Sequence, residues 1–166
     1  MPSERFVHAL NDQIGREFAA AHQYLAIGAY YAGETFPQLA AFFYEQAEEE
    51  REHAMKMVNY LLDQNARVDF GDIGAPQASF EDHVAPIRLA LEQEQQVTVL
   101  ISGLFEIARE TRDFTSEQFL QWFLAEQVEE ESSMQDLLTV AERTRDIPML
   151  LEEYLARERP GDHPGG

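Results

Sequence analysis

Cysteine is absent from this chain, and lysine and arginine together number only 12 against 31 aspartates and glutamates. The first absence excludes disulfides, zinc fingers and iron–sulfur clusters, so any bound metal must be held by oxygen and imidazole nitrogen. The scarcity of basic residues leaves a formal charge of -19. Such a charge repels nucleic-acid phosphates and anionic membranes while concentrating cations near the surface. No apolar run is long enough to span a bilayer, and "MPSERFVHAL" lacks the basic and apolar regions of a signal peptide. The expected location is cytoplasmic, with no membrane or nucleic-acid partner. Strand-like alternation is missing as well.

What is present is helical periodicity along almost the whole chain. With 166 residues, 45% of them hydrophobic, one domain is expected over residues 1–159, with 160–166 as a flexible tail. A first helix is expected over Glu4–Ala32 with Ser3 as N-cap and an apolar stripe of Phe6, Leu10, Ile14, Phe18, Ala21, Leu25 and Gly28. A second is expected over Gln38–Gln64 and a third over Glu81–Glu110. A fourth, Ser116–Arg143, opens on the capping-box pattern "TSEQ", and a short fifth follows Asp146. Short links pair the first helix with the second and the third with the fourth. Between the pairs, Asn65–Phe80 could reach about 50 Å when extended, more than the roughly 40 Å of a helix of this length. The expected fold is therefore an all-α four-helix bundle with one long crossover, which makes the second and third helices parallel, plus a short C-terminal helix.

The informative residues are those that spoil the stripes. Glu17, Glu50 with His53, Glu94, and Gln127 with Glu130 each interrupt an apolar face near the middle of a different helix. Midpoints of helices of similar length meet at one level, so these groups should converge in one layer. Four buried carboxylates would repel one another and lose hydration unless they bound protons or met positive charge, and no Lys or Arg falls on the stripes there. Two divalent cations would neutralise them, and Glu50 and His53, one turn apart, can address the same ion. Such ligation suits iron or manganese better than copper, with zinc also compatible. Taken alone, "EEEREH" also fits a solvated face, to which Glu45, Glu48 and Glu52 belong, and His53 alone could be a hydrogen-bonded core histidine. Tyr24 and Trp122 could either pack or tune the site. His8, His22, His83 and His163 have no companion ligands and are read as surface or interface residues.

The motifs "REFAAAHQYLA", "EEEREHAMKMVNYL", "LEQEQQVT" and "QFLQWFLAEQVEEE" occur in the order found in non-haem bacterial ferritins, and the chain resembles that family from residue 5 to about 158. The resemblance implies a ferritin-like fold and a ferroxidase that stores iron and detoxifies it. Fe(II) would be oxidised by O2 or H2O2 at a di-iron centre inside each subunit, then deposited as hydrated ferric oxide in a hollow shell of roughly 24 copies. It implies that Glu17, Glu50 and His53 hold the first iron and that Glu50 bridges to a second held by Glu94 and Glu130, with Gln127 beside it. Glu49, Glu126, Glu129 and Glu130 match a third, inward iron site. Haem-containing relatives place a methionine after the second-helix glutamate and a second Glu-x-x-His on the fourth helix. Here Arg51 and the Gln127/Glu130 pair stand instead, so no haem is expected. Leu150, Leu151, Tyr154 and Leu155 would make contacts around the fourfold axes, outside a bundle core already complete. The competing readings are a rubrerythrin-like di-iron peroxidase, which usually carries a cysteine-ligated iron module, a DNA-protecting mini-ferritin, which the negative charge disfavours, and a metal-free structural bundle.

Overall fold

In the computed structural model, which describes residues 1–158, five helices follow one another: α1 Glu4–Gly33, α2 Pro37–Asp63, α3 Ala85–Glu110, α4 Phe114–Arg143 and α5 Met149–Glu158. The expected tail, with His163, lies outside the described residues. Among the described residues there is no strand, and no helix is long and apolar enough to cross a membrane.

Local chemistry sets the helix ends. Ser3 caps α1 by accepting a hydrogen bond from the Phe6 amide. The ends of α1, α2 and α3 share one solution. Thr35, Asn65 and Arg112 take positive φ, and the next amide reaches back five residues, as from Phe36 N to Tyr31 O at 2.8 Å. These are Schellman motifs built without glycine. Two starts differ from expectation. Asp113, not the "TSEQ" segment, caps α4, its carboxylate accepting from the Ser116 amide and hydroxyl. The Schellman turn closing α3 delivers the chain straight into that cap. The third helix begins at Ala85 rather than Glu81, because the Asp82 side chain accepts from the amides of Val84 and Ala85 and holds the preceding residues in a bend.

The crossover is fastened to α1 at three heights. Asn11 donates to Arg67 O and accepts from Asp69 N, Gln23 exchanges two hydrogen bonds with the Gln77 backbone, and the Tyr31 hydroxyl donates to His83 O. The strap therefore climbs α1 from its start to its end, and α2 and α3 run parallel as the length argument required.

Inside the bundle the apolar residues form two clusters. One gathers Phe6, Leu10, Ile14, Met57, Leu61, Ile101, Leu104 and Leu120. The other gathers Tyr24, Ile27, Tyr31, Leu39, Phe43, Ile87, Met134 and Leu137. The stripe expected on α1 is buried at Phe6, Leu10, Ile14, Ala21 and Gly28. On α1, Leu25 is 47% exposed while its neighbour Tyr24 is fully buried, and on α4 the inward position is Leu120 rather than the half-buried Phe119. In both places the residue one step along points to the core, because the 3.6-residue turn drifts against a strict three-four alternation.

The short C-terminal helix is part of this core rather than an appendage. Leu151 and Leu155 are buried in the second cluster, leaving only Leu150 exposed and Tyr154 half-buried of the four residues expected to face neighbours. Glu152 fastens it. The N-cap position of α2, Phe36, offers no side-chain acceptor, and the Glu152 carboxylate supplies one from outside, accepting from Gln38 N at 3.0 Å and Leu39 N at 2.9 Å. Replacing Glu152 by Ala should cost about 1 kcal/mol through the lost cap and raise hydrogen exchange both in the first turn of α2 and along α5. Unchanged protection in these two segments would refute the capping role.

Candidate metal centre

Between the two apolar clusters lies a polar layer. Glu17, Glu50, His53, Glu94, Gln127 and Glu130 are all buried, one or two from each long helix, and Gln13 joins them. Burial at these positions follows from the stripes, since each occupies a core-facing place one or two turns from an apolar neighbour above and below.

On the side of α1 and α2, Glu17, Glu50 and His53 offer ligand atoms that all lie within 4.8 Å of one another. His53 Nδ1 stands 3.4 Å from Glu50 Oε2 and 3.9 Å from Glu17 Oε2. Glu17 Oε2 and Glu50 Oε1 are buried without a hydrogen-bond partner. On the side of α3 and α4, Glu94 is held by two groups. The Tyr24 hydroxyl donates to Oε1 at 2.5 Å, and the Gln127 amide donates both to Oε2 and to the backbone carbonyl at 3.1 Å. A second group of three, His53, Glu126 and Glu130, satisfies the same ligand spacing. His53 is thus shared between the two groups.

The electrostatics of this layer are unfavourable without a cation. Burial pushes the Glu50 carboxyl well above the ordinary carboxylate range, and the neighbouring charges of Glu94 and Glu17 push it further. Glu94 is raised by burial too, although the hydrogen bonds from Tyr24 and Gln127 pull it back. Glu130 is pushed up to about 10, first by burial, then by Glu94 and Glu49. Tyr24, fully buried and facing Glu94, is pushed up and stays a donor. Among the described residues no Lys or Arg pairs with any of these carboxylates; their one basic neighbour is His53. A buried donor set of oxygen and imidazole with orphaned carboxylate oxygens is the chemistry that accepts a divalent cation of intermediate hardness.

The remaining sequence candidates sit at the edge. Glu49 is exposed, yet desolvation raises its carboxyl while a hydrogen bond to Glu130 lowers it. Glu126 is half-buried beside Glu130. Glu129 is exposed and enters neither group of three. Glu45, Glu48 and Glu52 are exposed helix surface. Trp122 packs edge-to-face against His53 with ring centroids 5.4 Å apart and carries the Lys56 ammonium 4.1 Å from its centre, while remaining partly in solvent.

The model of the ferritin-like domain matches residues 7–144. The chain belongs to the ferritin family. It is 43% identical to ferritin BfrB of Mycobacterium tuberculosis over 157 residues, 95% of this chain and 87% of that protein. It is 41% identical to the bacterial non-heme ferritin of Staphylococcus aureus over 154 residues, 93% of each. Among solved structures it superposes on an open pore ferritin from the hyperthermophilic archaeon Archaeoglobus fulgidus with a TM-score of 0.90, at 31% identity over 94% of this chain and 98% of that one. Two residues against this ferritin's layer escaped the sequence reading: Gln13, which is buried, and Thr98, which is half-buried and accepts from the Gln127 amide. Gln13 and Thr98 are neutral, so no charge argument singles them out. Their signal is spacing alone: each lies one helical turn, four residues, from a buried glutamate.

Proposed function

We propose that this ferritin takes up Fe(II), oxidises it at the buried layer and stores the product as a hydrated ferric oxide inside a closed shell of roughly 24 copies. The observation that supports this most strongly is the layer itself: four carboxylates and an imidazole from four helices, buried together with no Lys or Arg partner among the described residues. In this reading Glu17, Glu50 and His53 hold the first iron, and Glu50 spans to the second, held by Glu94 and Glu130. Gln127 and Tyr24 fix Glu94, so that a carboxylate surrounded by like charge keeps one orientation. Arg51 follows Glu50, where a haem ligand would be needed, and the centre is read as iron without haem.

The ions are substrate as well as ligand partners. Two Fe(II) give one electron each to O2, which with two protons becomes H2O2; with H2O2 as oxidant, the same two electrons and two protons yield water. The carboxylates give up protons when iron binds and hold the higher charge of Fe(III) afterwards, the electrostatic contribution expected of such a site. Glu130, Glu126 and Glu49, which lead from the layer to the exposed flank of α2 and α4, supply a path by which Fe(III) leaves, and Glu129 is a further station on it. The net charge of -19 draws cations toward the shell.

Aerobic loading with Fe(II), followed by size-exclusion chromatography with iron detection, tests the reading. Iron far above two per subunit should elute with a particle of roughly 24 subunits. Uptake that stops at two per subunit, with continuing peroxide turnover when a reductant is supplied, would replace storage by a di-iron peroxidase.

A further inference from the structure

We infer that Gln13 is a positioning residue that fixes how Glu17 presents itself to the first metal ion; the inference rests on the reading of Glu17 as a ligand. Gln13 is 1% exposed and lies one turn before Glu17 on α1. Its Nε2 donates to Glu17 Oε1 at 2.9 Å. Its own Oε1 is buried and has no partner. That second fact carries the argument. A buried amide with an orphaned oxygen is a cost to folding, and a leucine of similar size would avoid it. The amide is retained where its donor meets a carboxylate that has few other donors.

The consequence for Glu17 is a division of labour between its oxygens. Oε1 is occupied by the amide. Oε2 is left unpartnered, and it is the one that faces His53 Nδ1 at 3.9 Å. Glu17 is thereby set to bind through one oxygen, and the imidazole and Glu50 complete the set. Gln13 also lies in the wall of a surface groove of about 320 Å³ between α1 and α3, a groove that Arg5 and Arg16 line and Glu17 does not. Gln13 thus borders the arginine-lined groove on one side and holds Glu17 on the other.

Gln13→Leu keeps the volume and removes the donor. Cobalt(II), redox-inert under these conditions, reports coordination through its visible absorption and can be titrated into the assembled apo shell. The expected result is a changed absorption spectrum for the first equivalent per subunit and an affinity lower by about 10-fold or more, with the second equivalent little altered. A structural role predicts the opposite pattern: apo melting would fall and the cobalt spectrum would stay as in the parent. Positioning predicts an apo melting temperature that holds or rises, because the orphaned oxygen is gone. Gln13→Met, unbranched and equally donorless, takes the place of the leucine variant if that one does not assemble. Parent-like spectrum and affinity in the donorless variant would overturn the inference. Glu17→Ala runs beside it: loss of the first equivalent there, with no change at Gln13→Leu, removes Gln13 alone, whereas an unchanged first equivalent in Glu17→Ala removes the ligand reading itself.

Discussion

Glu50→Ala should lower the initial rate of aerobic Fe(II) oxidation at two ions per subunit by about 100-fold or more, given that losing even an outer-shell partner commonly costs about 10- to 100-fold. Glu50 feels like charge from both halves of the layer: its carboxyl is raised by burial, by Glu94 of α3 and by Glu17 of α1. Removing it takes away the group proposed to span both ions. The apo protein should tolerate the change, since deleting a carboxyl that is costly to ionise offsets the small cavity left behind. A shell that assembles normally, melts within a few degrees of the parent and yet oxidises slowly is the expected combination. Unchanged initial rates would remove Glu50 from the centre.

The second large effect concerns pH. Glu50, Glu94 and Glu130 all have folded-state values above their ordinary one, Glu130 at about 10. Above the unfolded value of about 4.3, the folded metal-free protein therefore binds more protons than the unfolded chain. The stabilisation these carboxyls contribute is fully present below that value and is lost as pH rises toward the folded values. The apo melting temperature should thus fall between pH 6 and 9. Each proton by which the two states differ costs about 1.4 kcal/mol per pH unit, or about 3–5 °C for a chain of this size. Divalent zinc, which has no redox chemistry, should reverse the slope, because metal replaces the protons and binds better as they leave. Glu130→Gln should flatten the apo slope. Melting curves across this range, with and without zinc, provide the measurement; equal slopes in both series would contradict the electrostatic account of the layer.

Much of this arrangement was readable from residue spacing. Four charged interruptions near four helix midpoints identify a layer regardless of small errors in stripe register, because a midpoint is insensitive to a shift of one residue. The same tolerance explains what was misread. Counting Leu25 on the inner face beside Tyr24, or Phe119 in place of Leu120, widens or displaces the face by a single step, and periodicity alone does not resolve that step. The cap of α4 and the start of α3 depended on Asp113 and Asp82 folding back on nearby amides, a local competition between side chain and backbone that hydrophobic patterns do not encode. The docking of α5 was hidden for a different reason. Leu151 and Leu155 look alike whether they serve a neighbouring subunit or their own core, and only the three-dimensional closure of the bundle end distinguishes the two. Gln13 was invisible because a neutral side chain acquires meaning only through what it touches.

The crossover has a further consequence for the order in which the centre comes into being. Glu17, Glu50 and His53 all belong to the α1–α2 hairpin, whose helices are joined by three residues and can meet early. Glu94, Gln127 and Glu130 belong to the α3–α4 hairpin, which is joined to the first through a strap whose contacts with α1 link residues 52 to 58 positions apart, a separation that closes more slowly than the short α1–α2 turn. On the proposed ligand set, the first hairpin alone carries every residue of the first iron's half-site. The same proposal makes paired oxidation a property of the finished bundle, since the residues proposed for the second ion lie on the other hairpin.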